Sequence, residues 1–168
     1  MPSSLRPPKQ PQSWDARFLK FAQMVAGWSK DPSTKVGACC VRNRRVLSTG
    51  YNGLPSGVLD SDYRLTDPEM RRVMTTHAEV NLVAMAAQNG VSMMGSTVYV
   101  WPLMSNAASA ACLIQAGVSR VVIPDDVVMP ARRQEDFDIA SSMFSEAGVA
   151  LVRLVWSDPP VDEAASPP

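Results

Sequence analysis

The sequence predicts one α/β domain of three layers, with helices on both faces of a mixed five-stranded sheet. Two observations carry this. Two short apolar runs, Val36 to Val41 and Val46 to Thr49, flank Arg42-Asn43-Arg44-Arg45 and read as an antiparallel hairpin. Further on, strand and helix patterns alternate: a strand over Thr97 to Trp101, a helix to Ala116, a strand over Arg120 to Ile123, a helix over Gln134 to Ala147, and a strand over Val149 to Val155. Strand–helix–strand twice in succession requires two parallel crossovers. At 168 residues the chain is long enough for one proper core.

Taken in order, residues 1–12 carry four prolines and few apolar groups and read as a disordered tail; the domain spans 13–156, and the Pro- and acid-rich residues 157–168 form a second disordered tail. Ser13 is placed to cap a helix over about 14–29, with Trp14, Phe18, Phe21, Ala22, Val25 and Trp28 on an apolar stripe that belongs in the core. Lys30 to Thr34 is a polar loop. Cys39 and Cys40 are adjacent in a strand, so their side chains face opposite ways and cannot chelate together; they read as small buried hydrophobes. Gly50 to Pro55 is turn-like, and Asn52 within it would tolerate a left-handed turn. Gly57 to Thr66 reads as irregular. Asp67-Pro68 is a cap followed by proline at the first helical position, opening a short helix over Glu69 to Met74. A longer helix starts at Thr76 or His77, presents Val80, Val83, Ala84 and Ala87 as its apolar face, and stops at Asn89-Gly90. Ser105 or Asn106 caps the next helix and Gly117 ends it; the helix over 134–147 buries Phe137, Ala140, Phe144 and Ala147 and ends at Gly148.

Composition excludes several classes. Lys+Arg and Asp+Glu both number 16, so there is no cationic excess for long nucleic acid, although a mononucleotide needs only a few local donors. No apolar run approaches the ~18 residues that span a bilayer, and no secretory pattern follows Met1, so no membrane partner is expected. Three cysteines without framework spacing fit a reduced, cytoplasmic setting.

The chemistry-bearing residues are His77-Ala78-Glu79 and, in the place of a second half-site, Ser105-Asn106-Ala107-Ala108-Ser109. H-x-E followed by P-C-x-x-C is the signature of zinc nucleobase deaminases. Around it stand, in order, Lys30-Asp31-Pro32-Ser33-Thr34-Lys35-Val36-Gly37-Ala38, Ser48-Thr49-Gly50-Tyr51-Asn52-Gly53-Leu54-Pro55, Thr97-Val98-Tyr99-Val100 and Leu113-Ile114-Gln115-Ala116-Gly117-Val118. This sequence resembles the deoxycytidylate (dCMP) deaminase family from about Trp14 to about Val155. The resemblance implies a cytidine deaminase-like fold, a homo-oligomer and a pyrimidine deoxynucleotide as ligand. It also implies a pocket built from Ser33, Thr34, Lys35, Asn52 near the sugar, His77, Ala78, Asn106 and Ser109, with Glu79 as proton shuttle.

The departure from that family falls on the metal ligands. Counting back from Gln115 aligns Ser109 and Asn106 with the two cysteines of P-C-x-x-C, so both thiolates are replaced. A neutral amide and a hydroxyl are poor zinc ligands, and without the metal a water keeps a pKa of ~15.7 rather than ~7. The degenerate set His77, Asn106 and Ser109 is therefore expected to hold no metal, and no cofactor is expected unless zinc still binds there. A shifted site using His77 and Cys112, one turn beyond Ser109, is a further option. Three readings remain open in this order: a zinc-independent enzyme on a deoxynucleoside monophosphate with Glu79 as acid/base, a non-catalytic nucleotide-binding or regulatory subunit, and a zinc deaminase with atypical ligands.

Overall fold

The computed structural model describes residues 13–104 and 106–155. The expected tails and the capping role considered for Ser105 lie outside these residues. Five strands form one sheet in the order β2-β1-β3-β4-β5. Strands β1 (Gly37–Arg42) and β2 (Arg45–Tyr51) are antiparallel, and β1 is also antiparallel to β3 (Thr97–Trp101). From β3 onward, β4 (Arg120–Pro124) and β5 (Ala150–Leu154) run parallel. The mixed sheet, the hairpin and the two parallel crossovers agree with the sequence reading.

The hairpin closes through Asn43 and Arg44, both in the left-handed region (φ 53° and 62°), as a two-residue turn of the mirror-image type requires. Those are the non-glycine left-handed residues of the described chain, so Asn52 is not one, and the turn-tolerance reading of Asn52 is set aside. Cys39 and Cys40 part as expected. Cys39 Sγ lies 3.4 Å from the Phe18 carbonyl on one face, and Cys40 Sγ lies 3.1 Å from Ser96 Oγ on the other.

Helix α1 (Trp14–Ala26) covers one face, where Phe18, Leu19 and Ala22 meet Cys39, Val41, Tyr99 and Val122. Ser13 caps it, accepting from Ala16 N at 3.1 Å. It ends three residues earlier than expected, at Gly27, and its inward stripe is narrower. Leu19 and Ala26 are buried, whereas Trp14 and Trp28 are 43% and 52% exposed. Trp14 sits at the rim, stacked on Phe18 and flanked by the guanidinium groups of Arg17 and Arg44.

The segment expected to be irregular contains a helix, α2 (Asp62–Thr66), since no glycine or proline interrupts it. Helix α3 (Pro68–Met74) follows, with Asp67 accepting from Met70 N at 2.8 Å and Pro68 at its start. Neither helix buries a residue.

Helices α4 (Ala78–Gln88), α5 (Ala107–Gln115) and α6 (Ala131–Glu146) cover the opposite face, completing the three layers. The buried face of α4 is Ala78, Glu79, Leu82 and Ala86, not the Val80, Val83, Ala84 and Ala87 face read from the pattern; Ala84 and Ala87 are exposed. The cause is Gly50. A Cβ there would overlap Ala78 O and Leu82 N, so the missing side chain lets this face press against β2. Helix α6 starts earlier than expected and buries Phe137, Ala140 and Phe144; Ala147 is its exposed cap.

Candidate functional site

The starts of α4 and α5 meet at one end of a cleft. Thr76 pairs with Gly53 through two backbone hydrogen bonds, 2.8 and 3.1 Å, which anchors the chain just before α4. His77 then occupies the N-cap position in an extended conformation, and its imidazole makes no capping bond. Two residues on, Glu79 is fully buried in the first turn, where free helical N–H groups favour negative charge. Asn81 Nδ2 donates to Tyr51 O at 2.7 Å and holds the helix to the end of β2.

Across from it, Asn106 caps α5. Its Oδ1 accepts from Ser109 N at 2.9 Å. Ser109 is fully buried, with its hydroxyl 3.1 Å from His77 Nδ1. Asn106 and Ser109, the residues the sequence count set against the two family thiolates, are thus both engaged. One caps a helix, and the other holds the imidazole.

The cleft measures about 620 Å³. Of the residues picked out from the sequence, Ser33, Thr34, Asn52, His77 and Asn106 line it. Glu79, Ala78 and Ser109 are fully buried and are not among the lining residues. Lys35 lines a second cavity of about 440 Å³, together with Trp101 and Pro102, and Ser33 and Thr34 are shared between the two.

Asn52 is almost wholly buried and its amide is committed to the fold. Oδ1 accepts from Val36 N at 2.8 Å, and Nδ2 donates to Thr34 O at 2.9 Å. Asp31 completes this wall by accepting from Ser33 N at 2.7 Å and Thr34 N at 3.1 Å. Asn52 therefore sets the shape of the loop that borders the cleft.

Sequence reasoning missed the charged part of the cleft. Arg71 and Arg72 of α3 and Arg132 and Arg133 of α6 line it, with Asp31, Asp67, Glu69 and Asp136. Most of these carboxylates are occupied. Asp31 takes two backbone N–H groups and lies 3.8 Å from Arg71 Nε, Asp67 caps α3, and Glu69 pairs with Arg72 at 2.6 Å. Arg132 and Arg133 have no ion pair among the described residues. The signal available in the sequence was two Arg-Arg pairs, one in the last turn of α3 and one in the first turn of α6.

The donor set does not fit zinc. His77 Nδ1 and Asn106 Oδ1 are both spent on Ser109, the two replacements are neutral, and no three His, Cys, Asp or Glu side chains come together as a metal-holding group among the described residues. The shifted option through Cys112 meets the same lack of a third ligand. Cys112 is half-buried, and its thiol is pushed above its usual range by burial and then by the charge of Glu79.

Comparison with known proteins agrees with the fold and the motif order. The profile of the cytidine and deoxycytidylate deaminase zinc-binding region matches residues 12–124. An uncharacterized deaminase from the luxG 3′ region of Aliivibrio fischeri is 36% identical over 144 residues, covering 84% of this chain and 93% of that one. Human deoxycytidylate deaminase is 30% identical over 151 residues, covering 84% of this chain and 80% of its own length. The structure of the cyanophage S-TIM5 dCMP deaminase in complex with dCMP and dUMP superposes with a TM-score of 0.65 at 25% identity, over 82% of this chain and 94% of that one. With the profile covering most of the domain and a 36% identical relative matched over nearly its whole length, the chain belongs to the cytidine and deoxycytidylate deaminase family.

Proposed function

We propose that this chain binds a pyrimidine deoxynucleoside monophosphate in the cleft and acts on it without zinc, with Glu79 as the acid/base. Membership of a deaminase family and a solved relative holding dCMP and dUMP support the ligand class. The guanidinium groups of Arg132 and Arg133, which have no ion pair among the described residues, suit a phosphate, which arginine binds through charge-assisted hydrogen bonds. Ser33, Thr34 and Asn52 would border the sugar and phosphate. His77 and Asn106 would face the base, with Ala78, Ser109 and Glu79 buried next to them. Lys35 would contribute its charge from the second cavity.

The observation that carries the zinc-free reading is the neutral pair Asn106 and Ser109 facing His77, the one engaged in capping α5 and the other hydrogen-bonded to the imidazole, with no thiolate beside them. A water not bound to metal keeps its pKa near ~15.7, so hydroxide attack of the family kind is not available to Glu79 alone. Proton transfer to or from a ligand remains available to a carboxylate of this sort. The complete burial of Glu79 favours a second reading, a non-catalytic nucleotide-binding or regulatory subunit in which Glu79 only holds the site together. A zinc deaminase with atypical ligands stands third. We further infer a homo-oligomer in the cytoplasm. No helix among the described residues is long and apolar enough to cross a membrane.

Turnover of a panel of pyrimidine deoxynucleoside monophosphates, followed by chromatography with and without chelator, separates these readings. Chelator-resistant turnover abolished by Glu79→Gln supports the first, binding without turnover the second, and chelator-sensitive deamination the third. Arg132→Ala should weaken nucleotide binding by roughly tenfold or more while leaving the corresponding nucleoside little changed, as expected for a charged hydrogen bond worth about 1.5–3 kcal/mol. Equal losses for nucleotide and nucleoside would remove the phosphate from that end of the cleft.

A further inference from the structure

We propose that His77 and Asn106 form a donor-only subsite that receives an oxo group, so that the cleft favours a 4-oxo pyrimidine nucleotide, such as dUMP, over its 4-amino counterpart, dCMP. The inference rests on the nucleotide reading above and specifies its base.

Ser109 is fully buried, and among the described residues its hydroxyl has one partner, His77 Nδ1 at 3.1 Å. A hydroxyl has one proton to donate, and burying it without an acceptor is strongly disfavoured. If Nδ1 carried the imidazole proton, the hydroxyl would become the acceptor and its own proton would have no acceptor among the described residues. Ser109 therefore donates, Nδ1 accepts, and neutral His77 carries its proton on Nε2, the nitrogen left for the cleft that His77 lines.

Asn106 is polarised the same way. Its carbonyl oxygen accepts from Ser109 N at 2.9 Å, so the oxygen is fixed inward by the helix cap. What remains for the cleft is the Nδ2 amide, which only donates. Ser109 thus sets both neighbours, one through its hydroxyl and the other through its backbone N–H. Two side chains offer N–H groups, and neither offers a lone pair.

An exocyclic amino group would set its own N–H bonds against these donors and leave them unpaired. A carbonyl oxygen supplies the lone pairs they need. Sites built from committed hydrogen-bonding groups discriminate strongly against a ligand that leaves them unmatched. On the nucleotide reading, Arg132 and Arg133 of α6 receive the phosphate, and the base is the part that meets the two neutral donors.

The test uses the full chain labelled with ¹⁵N. His77 is the sole histidine of the sequence, so one imidazole spin system reports on it without assignment. The expected spectrum shows an unprotonated Nδ1 and a protonated Nε2. Calorimetry should find dUMP binding at least tenfold tighter than dCMP. In Asn106→Asp, the capping oxygen is kept while the amide donor becomes an acceptor, and the ratio should fall toward or past unity. In Ser109→Ala, the fixed tautomer should be lost and the preference should shrink. A wild-type imidazole protonated on Nδ1, dCMP binding as tightly as dUMP, or an unchanged ratio in Asn106→Asp would each overturn the proposal. If nucleotides bind with a flat ratio, this inference alone falls. If neither binds at millimolar concentration, the nucleotide reading falls with it.

Discussion

Replacing Gly50 by alanine tests what positions the site. A Cβ at this point of β2 would stand well inside van der Waals contact with Ala78 O and Leu82 N, and also within 2.9 Å of Leu82 Cα. All three are backbone atoms of α4, so no side chain can rotate away. The helix must retreat by roughly 1 Å to restore ordinary contact distances near ~3.5 Å. His77 caps that helix and Glu79 lies in its first turn, so the strain enters directly behind the site. Overpacking of this kind costs about 1–3 kcal/mol, which in a chain of this size lowers the melting temperature by roughly 2–12 °C. The same shift should stretch the His77 to Ser109 hydrogen bond, which starts at 3.1 Å, and weaken ligand binding. Differential scanning calorimetry and ligand titration of the variant measure both effects. An alanine variant with wild-type melting temperature and wild-type affinity would refute the claim that the glycine fixes the approach of α4.

Three other outcomes are expected. The purified protein should carry far less than one zinc per chain by atomic absorption, and changing Asn106 and Ser109 together to cysteine should raise this to about one; stoichiometric zinc in the unmodified protein would promote the atypical zinc deaminase. Of the three cysteines, Cys112 should be modified first by an aromatic disulfide reagent in the native state, slowly and faster with rising pH. Cys39 and Cys40 should wait for unfolding. Because the charge of Glu79 adds to burial in raising the Cys112 thiol, Glu79→Gln should speed that reaction, and an unchanged rate would deny their proximity. The Arg120 guanidinium, bonded to Asp15 at 2.6 and 2.8 Å, holds the Asp15 carboxyl below its ordinary 3.8. A lowered folded-state value means that this stabilisation is present above about pH 3.8 and is lost as the pH falls through the folded-state value, so Asp15→Asn should flatten the acid limb of a melting-temperature profile.

Much of the fold was legible because its punctuation is local. Gly90, Gly117 and Gly148 end their helices at φ 64°, 81° and 73°, and Asp67-Pro68 opens α3, each within a few residues of its signal. The inward face of α4 was not legible. Pattern reading sends valine and alanine inward and glutamate outward, whereas Gly50, some thirty positions away, decides which face meets the sheet. Trp14 and Trp28, both read as part of the first helix's stripe, misled for a related reason. A narrow contact with the sheet buries Leu19 and Ala26 and leaves the aromatic ends of the stripe at the rim. In the cleft, His77, Asn52 and Asn106 were found through motifs. Arg71, Arg72, Arg132 and Arg133 were not, because no spacing rule joins two arginine pairs sixty residues apart; only packing brings α3 and α6 to one cavity.

The exchange of both thiolate positions also makes electrostatic sense as a single change. In a site of the family type, two thiolates cancel the two charges of Zn²⁺, and the buried glutamate supplies the residual negative charge. Removing one thiolate alone would leave a partly compensated dication beside helix starts that already carry positive partial charge. Removing both thiolates while keeping the metal would leave two positive charges against the single carboxylate of Glu79. Removing both thiolates together with the metal restores the original sum, with Glu79 still at the start of α4. The hydroxyl of Ser109 and the amide of Asn106 then replace coordination bonds by hydrogen bonds, one to His77 Nδ1 and one to Ser109 N. On the zinc-free reading, the geometry that a metal would impose on the imidazole is imposed by a buried hydroxyl instead. The start of α4, where Glu79 is buried, supplies part of the charge that opposes a carboxylate.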